Sequence, residues 1–223
     1  MIDIPSGLPA ELVPLSWLLG VWEGSGIVDY EVDGERRSAE FGQRISFSHD
    51  GMPFLNYSSY AWLLGDQAPP ADESGADAVV RLASAGLGDA EQTRPLVSEL
   101  GYWSLARPRG AGDPGPGMLP ATEDSAFTTA EQVETLRNAS GGFDISASLV
   151  HPTGVSELYL GSVNGPRIDL ATDHVMRAAG SKDYASASRM YGLVEGHLLW
   201  AWDMSALGQE LRTHASARLA KRD

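Results

Sequence analysis

The chain contains no cysteine in its 223 residues. That absence excludes disulfides, thiolate nucleophiles, cysteine-ligated zinc and iron–sulfur clusters. Positive charge is also scarce: 16 Lys and Arg stand against 30 Asp and Glu, a formal net charge of −14. A surface this acidic repels phosphate backbones, and no basic run is long enough to reverse the field locally. Neither nucleic acid nor an anionic membrane is therefore an expected partner. Hydrophobic runs are short, and none approaches the length of a membrane-crossing helix. The stretch "MIDIPSGLPAELVPL" lacks the basic and apolar regions of a signal peptide, so a cytoplasmic protein is expected. No long helical pattern, heptad or internal repeat occurs.

What the sequence does contain is alternation. Trp22, Gly24, Gly26, Val28 and Tyr30 share one face of a period-two segment, and Phe41, Gln43, Ile45 and Phe47 repeat the pattern. "DGMP" punctuates, and Phe54–Leu64 is a third strand-like run. Further strands are expected at Ser98–Ala106, near Gln132–Arg137, and at Phe143–His151, Val155–Asn164, Ile168–Met176, Ser186–Leu193 and Leu198–Met204. Short turn signals such as "PTG", "NGP" and "VEGH" separate the later ones. "PAELVPLSWLLG" reads as one or two helical turns, and the final "LGQELRTHASARLAKRD" fits either a closing strand or a short helix.

These elements predict an all-β protein: a single antiparallel up-and-down β-barrel of about ten strands, preceded by a short helical segment. A sandwich is the alternative. One domain spans 1–223, with loop insertions at about 65–95 and 107–127, the first carrying a short helix at "ADAVVRLAS".

Five histidines are the side chains suited to neutral-pH ligation or base chemistry: His49, His151, His174, His197 and His214. None pairs with another at metal-helix spacing, and there is no G-x-S-x-G elbow to support a hydrolase. Chemistry alone leaves His151 and His214 as ligand candidates. Six tryptophans, and methionines such as Met52, Met176 and Met204, suit either a filled barrel or the wall of a ligand cavity.

Taken together, several blocks resemble the nitrobindin family, haem-binding β-barrels related in shape to fatty-acid-binding proteins. Gly20, Trp22, Gly24 and Gly26 match its G-x-W-x-G-x-G signature, and "FSHDGMPFLNY" looks like its second block. "SELGYW" is similar to an E-S-G-Y segment, and "HPTGVSE" to a fourth block. At the end, Met204 is followed by "SALGQELRTH", which resembles the context of the family's haem-ligating histidine.

The resemblance implies haem b held by His214 as the axial iron ligand, with Lys182 near a propionate and Leu96, Val97 and Met204 lining the pocket. Val97 stands where some relatives carry a distal histidine, which leaves an apolar distal face. The implied activity is isomerisation of peroxynitrite to nitrate at ferric iron, with nitric oxide bound by ferrous iron. By analogy, an apolar barrel mouth favours a homodimer. The competing expectation is a fatty-acid-binding-protein-like carrier of a lipophile, which would need an internal pair of arginines for a carboxylate. Arg44, Arg167 and Arg189 are the candidates.

Overall fold

The computed structural model describes residues 7–32, 35–64, 94–206 and 210–222. Ten strands follow in order: β1 (Gly20–Val32), β2 (Glu35–Ser48), β3 (Leu55–Leu63), β4 (Arg94–Leu105) and β5 (Phe143–His151), then β6 (Val155–Asn164), β7 (Arg167–Arg177), β8 (Tyr184–Val194), β9 (His197–Ala206) and β10 (Arg212–Arg222). Each pairs antiparallel with its sequence neighbour, and β10 pairs with β1, so the sheet closes into a barrel. Closure removes the open edges that an antiparallel sheet would otherwise expose. The ambiguous C-terminal segment is thus a strand. Its register runs from Val21 opposite Arg222 to Val28 opposite Ala215.

The glycines of the first strand are explained by this last pairing. A Cβ on Gly24 would lie 2.3 Å from the carbonyl oxygen of Arg218, and one on Gly26 would lie 2.2 Å from that of Ser216. Only a residue without a side chain lets β10 come this close. Trp22 is buried, and its indole N–H donates to the Leu18 carbonyl at 2.7 Å, bracing the 3₁₀ segment Ala10–Leu18 against the start of β1.

That segment buries Leu12, Leu15 and Leu18 in the core. Arg107, just after β4, holds it in place. Its guanidinium takes both oxygens of Glu11 at 2.6 and 2.8 Å and both oxygens of Asp113 at 2.7 and 2.8 Å. Above the segment, Phe47, Tyr57, Trp103 and Tyr191 fill the middle of the barrel with edge-on and tilted ring contacts between 5.1 and 5.8 Å. Two of the three methionines noted in the sequence, Met52 and Met176, are exposed rather than interior.

The stretch near Gln132–Arg137 is not a strand. Residues Ala130–Glu134 form a short helix, α1, because Thr129 and Gln132 make a reciprocal capping box. Arg137 contributes only an isolated bridge to Phe143. The region 107–127 is a connection from β4 toward α1, with one 3₁₀ turn at Pro116–Met118. Most of the insertion expected at 65–95, including its helix, lies outside the described residues. Among the described residues, no helix is long and apolar enough to cross a membrane.

Candidate haem site

A cavity of about 190 Å³ opens at the end of the barrel opposite the 3₁₀ segment. Its apolar wall is made by Val28, Phe41, Ala61, Leu96, Val97 and Ala215, with Trp200 and Trp202 from β9. Tyr57 and Tyr191 rise from the aromatic layer to form part of the floor. His214 lines the same cavity.

Strict alternation would not put His214 there. In a strand, consecutive side chains point to opposite faces, yet His214 and Ala215 both line the cavity, as do Leu96 and Val97. Each pair sits at a β-bulge. The β10–β9 register shifts between Thr213 and Ala215, leaving His214 as the extra residue. The β3–β4 register shifts between Ala61 and Trp62, leaving Leu96 as the extra residue. A bulge turns two neighbours to one side, and here two bulges aim four side chains into one hollow.

Burial pushes the His214 ring below its ordinary pKa, and the charge of Arg212 acts in the same direction. A hydrogen bond to the Asp29 backbone and the Asp29 carboxylate act against that shift. The net effect favours the neutral imidazole, the form that ligates a metal. Trp202 meets His214 edge-on, with centroids 5.5 Å apart. Its indole nitrogen is buried without a hydrogen-bond partner.

The remaining predicted residues lie at the same end. Lys182 is an exposed residue of the β7–β8 turn, where its carbonyl accepts a hydrogen bond from Arg177. Met204, half-buried near the end of β9, pairs with Arg212 and Ala187 but is outside the cavity lining. Beyond Ala171 and Ser188 the β7–β8 ladder stops. The Thr172 hydroxyl still links the two strands, through both backbone groups of Ala187.

Beside the cavity lies a buried polar network that links two of the sequence blocks. Glu99 of the "SELGYW" block meets Arg189 across the barrel through two hydrogen bonds of 2.7 and 2.9 Å, and accepts a third from the Tyr57 hydroxyl at 2.8 Å. His151 and Glu157 of the "HPTGVSE" block lie 2.7 Å apart, and Glu157 also accepts hydrogen bonds from Tyr159 and Tyr184. Burial alone would raise the Glu99 carboxyl. The charge and hydrogen bonds of Arg189, with His151 and Tyr57, hold it at about 2. Glu157 is likewise held below the usual range against its own burial, by His151, Arg189 and the two tyrosines.

The residues fit a haem. Among the described residues, no group of three or more His, Asp or Glu could hold a bare metal ion. Iron at His214 would therefore need most of its ligands from elsewhere, as a porphyrin supplies them. The apolar wall suits such a disc. A fatty-acid carrier fits less well. Arg44 and Arg167 are exposed, and Arg189, though interior, is already paired with Glu99.

A closed antiparallel barrel, packed in its middle and hollow at one end around an inward histidine, defines a β-barrel of the ligand-pocket type. The comparisons place it more closely. A family profile described as "THAP4-like, heme-binding beta-barrel domain" matches residues 11–221, and the chain belongs to that family. It is 59% identical over its whole length to a protein of Clavibacter sepedonicus named peroxynitrite isomerase, covering all of that protein. A protein of Leifsonia xyli subsp. xyli with the same name is 59% identical, with 99% of each chain covered. The crystal structure of Rv2717c from M. tuberculosis shares the fold, with a TM-score of 0.60 at 22% identity, covering 99% of this chain and all of that one.

Proposed function

We propose that this protein is a haem-dependent peroxynitrite isomerase in which His214 would hold the iron of haem b. When bound, haem supplies an iron at which peroxynitrite rearranges to nitrate without a reductant and which, in the ferrous state, takes up nitric oxide. The names carried by full-length relatives at 59% identity support the activity. The observation that carries the ligand assignment is the bulge that turns His214 into the cavity.

The chain's own residues would divide the work as follows. Burial keeps the His214 imidazole neutral and able to ligate. Leu96, itself 42% exposed, and Val97 give the wall an apolar surface and offer no proton to the substrate, which suits a rearrangement that transfers none. Trp202 limits rotation of the His214 ring. Lys182, exposed at the same end, would meet a propionate, and Met204 would back the β9 side of the pocket.

Titration of the purified protein with hemin tests this reading. A saturable Soret band at one haem per chain is expected, and His214→Ala should shift or abolish it. Peroxynitrite decay in stopped flow should accelerate only with the haem-loaded wild type. An unchanged Soret band in the His214→Ala protein would overturn the assignment.

A further inference from the structure

Among the described residues, the cavity wall contains a single guanidinium, that of Arg189, and each of its three nitrogens already donates to a partner in the protein. Its terminal nitrogens reach the two oxygens of Glu99 at 2.9 and 2.7 Å, and Nε donates to the Tyr159 hydroxyl at 3.0 Å. The ring of Trp202 covers its face at 4.2 Å. Both partners are almost wholly buried, with 2% and 4% of their side chains exposed. Glu99 on β4 and Arg189 on β8 come from strands that are not neighbours, so the pair spans the interior. This two-pronged pairing is the geometry in which an arginine takes a free carboxylate.

We propose that Glu99 is a specificity-determining residue. The barrel contains a built site for a monocarboxylate, and the chain's own glutamate fills it and keeps out lipophiles whose carboxylate would have to be buried in the interior rather than left at the exposed rim. Without Glu99 the guanidinium would keep only Glu157, 3.5 Å from its Nη2 and already shared with His151, Tyr159 and Tyr184, so the buried charge would be under-compensated and driven to acquire an anion. With Glu99 in place, the wall facing the cavity offers an incoming anion no free positive charge. The cavity interior is left to ligand parts that carry no charge. The inference does not depend on iron and can be tested with or without haem.

The test compares wild type, Glu99→Ala and the double variant Glu99→Ala/Arg189→Met, each as the full chain in haem-free and hemin-loaded form. Octanoate and acetate serve as probes, followed by calorimetric titration and by thermal unfolding. Octanoate is expected to bind Glu99→Ala at least about tenfold more tightly than wild type, with a matching rise in Tm, and the double variant should lose the gain. If Glu99→Ala is unfolded on its own, recovery of the fold by octanoate or acetate supports the proposal, since the added carboxylate then replaces the missing one. Failure of both probes to bind or rescue Glu99→Ala would overturn it. So would wild type binding octanoate as tightly as the variant, or the double variant binding as tightly as the single one.

Discussion

The rings of Trp202 and His214 stand perpendicular, with centroids 5.5 Å apart, and the same indole also lies against the Arg189 guanidinium at 4.2 Å and the His151 ring at 6.4 Å. Trp202 therefore connects the buried ionic network to the histidine proposed to hold iron. If this contact sets the His214 orientation, Trp202→Ala should weaken hemin affinity about tenfold, a loss of about 1.4 kcal/mol. Trp202→Phe keeps a ring and should recover most of that affinity. The iron–histidine stretching band in resonance Raman should move in the Ala variant and return toward wild type in the Phe variant.

The bulge at the start of β10 makes a sharper prediction. Deleting Thr213 would let His214 take its place opposite Asp203 and so remove the bulge, and regular alternation would turn His214 outward while Ala215, Ala217 and Leu219 keep their inward places. The shortened protein should fold, with far-ultraviolet circular dichroism like that of wild type, and should lose its Soret band on hemin addition. Retention of full hemin binding would contradict the role given to the bulge.

Glu99 predicts the shape of the acid limb of stability. Its folded-state carboxyl, held at about 2, lies below the ordinary value near 4.5, so the unfolded chain binds the proton more readily. The stabilisation from this group is present above the unfolded pKa and is lost as pH falls through the folded value. The amount at stake is of order 3 kcal/mol. Urea unfolding between pH 5 and 2, a window set by these two values, should show wild type losing stability steeply. Glu99→Gln should start lower and fall less over that range.

Gly24 should be intolerant of even one methyl group. Its missing Cβ would sit 2.3 Å from the Arg218 carbonyl oxygen and 3.0 Å from the Leu219 Cα, both backbone atoms that cannot swing aside. Gly24→Ala is expected to cost about 1–3 kcal/mol by forcing β1 and β10 apart. Gly51→Ala meets no nearby atom but has a φ of +91°, so its cost should come from backbone strain instead. Chemical denaturation of both variants separates the two causes, since only the Gly24 change should also accelerate amide exchange along β10.

Much of this architecture was legible because period-two alternation is a local property. Trp22, Val28, Phe41 and Ile45 each point inward where their pattern says they should. The direction of His214 was not legible by the same logic, since a bulge depends on which residue of the partner strand lies opposite. The run around Gln132 reads as a strand from its valine, leucine and threonines, yet Thr129 and Gln132 stand three apart in the order of a helix-starting box, a signal present in the sequence. Arg189 was visible as a candidate for binding a ligand carboxylate. Its partner Glu99 lies 90 residues away, and no local pattern joins them. The "SELGYW" and "HPTGVSE" blocks stood out as motifs, and only the barrel's closure revealed that both feed one interior network.

The aromatic layer of Phe47, Tyr57, Trp103 and Tyr191 divides the barrel into a solid half and a hollow half. Foldability and ligand choice are thereby assigned to different stretches of the same strands. Substitutions above the layer can retune which guest is admitted while the foundation below stays intact, so a redesign for another porphyrin can begin from the rim without rebuilding the fold.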